Sequence, residues 1–124
     1  MKIVVIDGQG GRLGAAVVEN IIKTLDNCEI FGIGTNSIAA AAMLKAGAHH
    51  VATGENPVVV ACRDADVIIG PVGILSADSM LGEITPKMAV AVGQSSAKKL
   101  LLPVNMCNNF VVSVKNQGLN EMVK

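Results

Sequence analysis

The opening of the chain changes its apolar period once, and abruptly. Lys2 to Ile6 is a continuous run rich in β-branched residues, the composition of a strand buried on both faces. Asp7 stops that run. From Arg12 onward Leu13, Val17, Ile21 and Leu25 recur four apart, one stripe of a helix, and Glu19 and Lys23 form a favourable pair on another face. Between strand and helix lies Gly8-Gln9-Gly10-Gly11-Arg12-Leu13-Gly14. Short apolar runs alternate with helix-like stretches down the rest of the chain. That alternation is the pattern of a parallel sheet wrapped by helices.

The remaining elements follow from local signals. Asp26 and Asn27 end the first helix, and Glu29 to Ile33 reads as a second strand. Ser37 is expected to cap a second helix through Ala46, with Gly47 closing it. His49 to Ala52 is a short third strand. Asn56 and Pro57 read as the N-cap and first position of a third helix reaching about Asp64. Val67 to Gly70 is a fourth strand. Beyond it, Ser76 is expected to start a short helix to Leu81, and Thr85-Pro86 another ending near Ser95. Leu100 to Val104 and Phe110 to Val114 are the fifth and sixth strands, and Leu119 to Val123 a final short helix. The five residues from Asn105 to Asn109 are too few for a parallel crossover of roughly 10 residues or more, so strands five and six are expected to pair as an antiparallel hairpin. The predicted fold class is α/β: a three-layer sandwich, mostly parallel, with an antiparallel edge strand from the C-terminal hairpin. A length of 124 residues suits one domain over 1–124.

Composition narrows the function. Half the chain is apolar (51%), but only 2% is aromatic, with two Phe and no Trp or Tyr. Base stacking on aromatic platforms has almost nothing to work with, and a net charge of zero leaves no basic footprint for nucleic acid. Mean hydropathy is +0.51, yet no apolar run approaches the ~18 residues of a membrane span. The run after Met1-Lys2 is too short for a signal peptide, so a cytoplasmic protein is expected. Cys28, Cys62 and Cys107 are far apart and form no CxxC, which argues against a disulfide framework and against a metal site.

Gly8, Gly11 and Gly14 spell GxxGxxG. Glycine suits a tight strand-to-helix turn, close approach of backbone to a pyrophosphate, and close packing of helix on strand. The helix start adds free N–H groups and a positive dipole end. A glycine-rich turn serving packing alone is the alternative. The segment KIVVIDGQGGRLG resembles the opening of Rossmann-type NAD(P)-binding domains. It is especially similar to the GxxGRxG loop of dihydrodipicolinate reductases and the GxxGxxG loop of extended short-chain dehydrogenases. The whole chain also resembles a family of small bacterial Rossmann-like proteins, which implies a Rossmann-like sandwich with strand order 3-2-1-4-5 and supplies no activity. The first resemblance implies that Gly8, Gln9, Gly10, Gly11, Arg12, Leu13 and Gly14 hold the phosphates, with Arg12 near the adenosine end. NAD-preferring domains place Asp or Glu about 20 residues past the loop. Here Gly34, Thr35, Asn36 and Ser37 stand there, so NADP is favoured over NAD, with Thr35, Asn36 and Ser37 counted as cofactor-binding. Plain helix capping by those residues is an equal alternative. With no Tyr, the Tyr-x-x-x-Lys pair of short-chain dehydrogenases cannot exist, and the substrate domain of the reductases has no room.

Ligands of such sheets sit beyond the carboxyl ends of the strands. Pro71, Val72 and Gly73 are therefore added to the cofactor residues. Asn105, Cys107, Asn108 and Asn109 in the hairpin loop are candidate substrate ligands, Cys107 being the one thiol placed for nucleophilic chemistry. An ordinary Asn-rich turn is the plainer account. Asp78 and Glu83 either line the cleft or are solvated helix residues. His49 and His50 read as surface histidines, and no zinc spacing surrounds them. No complete catalytic set is legible. The expected function is binding of a nucleotide or dinucleotide, NADP or NAD, through loop 8–14, with an oxidoreductase-like origin. The alternative is a non-catalytic small-molecule-binding or regulatory module. A homo-oligomer is expected from the uncharged, apolar surface.

Overall fold

The computed structural model describes residues 1–104 and 108–112. Five strands, β1 (Lys2–Asp7), β2 (Glu29–Gly34), β3 (His50–Thr53), β4 (Val67–Pro71) and β5 (Lys98–Leu102), form one sheet in the order β3-β2-β1-β4-β5. Every pairing is parallel. Four helices connect them: α1 (Arg12–Thr24), α2 (Ser37–Ala46), α3 (Glu55–Cys62) and α4 (Pro86–Gln94). The three-layer α/β sandwich and its strand order are those expected from the sequence.

The period of β1 explains the layers. Successive side chains of a strand point to opposite faces. Ile3 and Val5 pack with Leu13, Val17, Val18 and Ile21 of α1 and Met43 of α2. Val4 and Ile6 pack with Val58 of α3, Met88 and Val92 of α4, and Ile74 and Ile84 from the connection between β4 and α4. With both faces covered, neither can be polar, which is why β1 reads as one apolar run. Fully burying each such side chain contributes roughly 1.5–3 kcal/mol.

Several element ends differ from the sequence reading. The N-cap of α2 is Asn36, whose Oδ1 accepts from the Ala39 amide at 2.8 Å; Ser37 is the first helical residue. Asn is as good a cap as Ser, and here the extended backbone of residue 36 decides between them. Gly47 closes α2 with φ of 116°, as expected. Helix α3 starts at Glu55 after Gly54, so Asn56 lies inside it and Pro57 in its first turn, where a missing N–H costs nothing. Thr85 caps α4 through the Met88 amide, with Pro86 next, as read from the sequence. The helix expected over 76–81 is absent. A 3₁₀ turn covers Val72–Leu75, and Asp78, Met80 and Leu81 take left-handed φ of 67°, 56° and 56°, which no α-helix contains. The fifth strand is Lys98–Leu102, so Lys98 and Lys99 lie within it rather than before it.

The edge hairpin is also corrected. No sixth strand occurs among the described residues, and Phe110 to Val112 lie outside any strand, with Phe110 and Val112 exposed. Pro103, just past β5, lacks the N–H that a continuing ladder would use. The rest of that expected strand (113–114) and the expected helix over Leu119 to Val123 lie outside the described residues.

At Gly34 the backbone of β2 packs directly against the backbone entering α2. A Cβ there would lie 2.5 Å from the Ala40 nitrogen and 2.6 Å from the Asn36 oxygen, both backbone atoms. Gly34→Ala is therefore expected to lower the unfolding free energy by roughly 1–3 kcal/mol in urea titration. A loss below about 0.5 kcal/mol would refute that close packing.

Candidate functional site

The loop between β1 and α1 is tied from below by a buried carboxylate. Asp7 is 3% exposed. Its Oδ1 accepts from the Gly8 amide at 2.8 Å and its Oδ2 from the Gly14 amide at 2.7 Å. Gly14 is the third residue of α1, so Asp7 satisfies one of the orphan donors of that helix from within the fold. Burial pushes its carboxyl above the ordinary value, the Gly14 and Gly8 amides pull it back, and the charge of Glu83 adds to the rise. The Gly11 amide bonds the Gly8 carbonyl at 3.0 Å, and Gly11 takes φ of 74° as the residue before α1. Among the described residues the amides of Gly10, Arg12 and Leu13 have no protein acceptor. They line a pocket of about 370 Å³ with Asp7, Gly8, Gln9, Gly11 and Val104.

The glycines differ in what surrounds them. A Cβ on Gly11 would lie 2.7 Å from Ala39 Cα, and one on Gly14 2.8 Å from Met43 Sδ and 2.9 Å from Asp7 Cβ. A Cβ on Gly8 would meet Thr35 Oγ1, Glu83 Oε1 and Met80 Sδ, all within 2.9 Å. These three serve packing within the chain. A Cβ on Gly10 would have no atom within 4 Å. The open position is the glycine that the GxxGxxG spacing leaves out.

From the other side the loop is held by Glu83. One oxygen, Oε1, accepts from the Gln9 amide at 2.8 Å, from Thr35 Oγ1 at 2.5 Å and from Asn36 Nδ2 at 3.0 Å. Asn36 Nδ2 also donates to the Gln9 carbonyl. Partial burial pushes the Glu83 carboxyl up, but the three donors outweigh it, so it titrates below its ordinary value. The sequence reading set Glu83 between a cleft residue and a solvated helix residue. It is neither on a helix nor free. It also changes the argument for NADP, because a carboxylate does stand beside Thr35 and Asn36, delivered from the β4–α4 connection. Ser37 is exposed and not part of this junction.

The other candidates lie elsewhere. Pro71 ends β4, and Val72 and Gly73 open the 3₁₀ turn, where the Gly73 carbonyl accepts from Ser79 Oγ at 2.6 Å. Asn109 lines a second pocket, of about 450 Å³, with Val72, Leu75, Ser76, Phe110 and Val111. Asn108 takes φ of 68°, the left-handed turn conformation that Asn tolerates. Asn105 and Cys107 lie outside the described residues. Cys62 is buried, which pushes its thiol up to about 11 despite Lys2 and Lys99, and makes it unreactive. His49 accepts from the Ile30 amide and His50 pairs with Glu29, both at the amino end of β2, opposite the glycine loop. Among the described residues no cluster of His, Cys, Asp or Glu is placed to hold a metal ion, and no helix is long and apolar enough to cross a membrane.

Comparison with known proteins sharpens the fold more than the function. The family model described as "Domain of unknown function (DUF3842)" matches residues 2–124. The search of curated proteins found no match. Among solved structures, a dodecameric FMN-dependent Ubix-like decarboxylase from Escherichia coli O157:H7 is similar, with TM-score 0.52 and 18% identity over 82% of this chain and 66% of that one. An NADPH-dependent quinone oxidoreductase (QOR2) from Escherichia coli aligns at TM-score 0.43 and 15% identity, over 89% of this chain and 48% of that one. The chain thus spans less than two thirds of either protein. The first likeness establishes a shared fold.

The Glu83 contacts carry a pH signature. A carboxyl lowered in the folded state contributes stability that is complete above its unfolded value, near 4.5, and is lost as pH falls through the folded value. Glu83→Gln keeps the shape and removes the charge, while Asp7 is common to both proteins. The stability gap between wild type and Glu83→Gln is expected to be largest near neutral pH and to close in acid. Urea titrations across that range showing a constant gap would exclude an ionised Glu83 as the clasp.

Proposed function

The chain belongs to the DUF3842 family, and we propose that it binds a nucleotide by seating a phosphate on the glycine loop 8–14. The observation that carries this reading is the set of unclaimed amides at Gly10, Arg12 and Leu13, lining a pocket at the start of α1. Backbone N–H groups at a helix start, with the dipole behind them, favour an anion. Gly10 leaves the approach clear, and the exposed Arg12 adds a cation at the rim. The decarboxylase that shares the fold is described as FMN-dependent, in keeping with a nucleotide-type cofactor here. NADP and NAD belong to the same class, but Glu83 beside Thr35 and Asn36 removes the reason to prefer NADP. The function proposed is binding, with no catalytic step.

Gly10→Ala separates this role from packing. Its backbone needs no left-handed φ and its Cβ would touch nothing, so the melting temperature is expected to stay within about 1 °C of wild type. In thermal shift at millimolar concentration, at least one of AMP, ATP, NADH and NADPH should stabilise the wild type. Any ligand that does so should bind Gly10→Ala about tenfold more weakly, a loss of about 1.4 kcal/mol. Failure of all four, and of inorganic phosphate, to stabilise the wild type would exclude the reading.

Self-association is part of the same proposal. Ile38 and Leu44 on α2 and Leu81 after β4 are exposed, Leu81 at 97%, and apolar side chains left in water favour burial against another surface. Light scattering at high concentration is expected to give at least twice the 12.7 kDa chain mass. A monomeric mass would refute it.

A further inference from the structure

A phosphate on the amides of Gly10, Arg12 and Leu13 leaves two directions for the rest of a nucleotide. One crosses Gly8 toward the carboxyl end of β2, where the adenosine ribose of a dinucleotide meets its acidic partner in folds of this kind. The other passes Asp7 toward Val104, beyond the end of β5.

The first direction is walled off by the chain itself. The face of Gly8 is filled by Thr35, Glu83 and Met80. Glu83 is clasped by donors from two different loops, Gln9 on one and Thr35 and Asn36 on the other. Its neighbours in the wall are anchored, with Met80 3% exposed and Ile84 fully buried in the core under α4. The face of Gly11 is closed by Ala39 of α2. A second phosphate on this side would meet a fixed carboxylate at close range. Among the described residues the second direction is open. The pocket lined by residues 7–13 and Val104 has about 370 Å³, at the lower end of the ~300–1,000 Å³ of small-molecule sites.

We propose that the ligand is a mononucleotide, its single phosphate on the glycine loop and its body toward Val104, and that Glu83 with Thr35 and Asn36 forms the wall that rejects dinucleotides. This rests on the phosphate-binding reading of the loop and adds the ligand class. Glu83 is a specificity determinant here: it acts by occupying space and carrying charge.

The test is titration of the full chain with AMP, FMN, NADH and inorganic phosphate by calorimetry, on wild type, Glu83→Ala and Glu83→Gln. AMP or FMN is expected to bind wild type at least tenfold more tightly than NADH, and Glu83→Ala should narrow that ratio severalfold. Glu83→Gln, which keeps the hydrogen-bonding shape, should narrow it less and serves if Glu83→Ala does not fold. NADH binding wild type as tightly as AMP and FMN overturns the ligand class and leaves the phosphate loop standing. So does protection by inorganic phosphate with neither mononucleotide bound. An unchanged ratio in both variants overturns the role of Glu83. No binding by any probe, phosphate included, overturns the loop reading as well.

Discussion

The Asp7 carboxylate holds the end of β1 to the start of α1, and the geometry of the glycine loop depends on it. A carboxylate that is almost fully buried is costly unless its oxygens find donors. Asp7 finds two, the amides of Gly8 and Gly14. The first turns the chain out of the strand. The second reaches the third residue of the helix. Between these two points the backbone must arch outward, and the arch exposes Gln9 and Gly10 while Gly8 and Gly11 stay buried. The carboxylate also takes an N–H that an incoming anion would otherwise use. The amides left over are therefore those at the crest and at the first two helical positions, not the whole loop.

That arrangement reassigns the glycines. The spacing of Gly8, Gly11 and Gly14 is what the sequence shows most clearly, and it corresponds to three close approaches inside the fold: to the Glu83 junction, to Ala39 and to Met43 with Asp7. A dinucleotide fingerprint and a packing pattern use the same residues for the same steric reason, namely that no Cβ fits. Spacing alone cannot tell them apart. What distinguishes them is the object that each missing Cβ faces, and of the four loop glycines Gly10 alone faces no atom of the described residues.

The alternating elements and their layers were legible in the sequence because their causes are local or periodic, whereas the strand order came with the Rossmann resemblance. The apolar run of β1 and the four-residue stripe of α1 are each visible within a single window. So were the Thr85-Pro86 start of α4 and the Gly47 stop of α2. The element ends that shifted depend on backbone angles that composition does not encode. Asn36 and Ser37 are both good caps, and Gly54 rather than Asn56 precedes α3 because the chain turns there with φ of 109°. The stretch over 76–81 was read as a short helix, although three non-glycine residues in it take left-handed angles. Glu83 was visible only as a carboxylate after β4. Its placement depends on a contact with Gln9, 74 residues away, and on the β-sheet order that brings the carboxyl ends of β1, β2 and β4 together.

The NADP preference illustrates what such a contact does to an inference made along the chain. The acidic partner of a ribose was sought where β2 ends, and Thr35-Asn36-Ser37 contains none. In space the carboxylate is present, bonded to two of those three side chains. It reaches them from a segment whose own anchors, Met80 and Ile84, belong to the core on the α4 side of the sheet. The charge is thus fixed by packing, not by the flexibility of a long side chain. Two carboxylates flank the loop, Asp7 beneath it and Glu83 beside it, and among the described residues the amides of Gly10, Arg12 and Leu13 are left without an acceptor, in residues that line one pocket with Val104. On the proposed reading, a site balanced in that way offers donors to one phosphate and a negative boundary to a second.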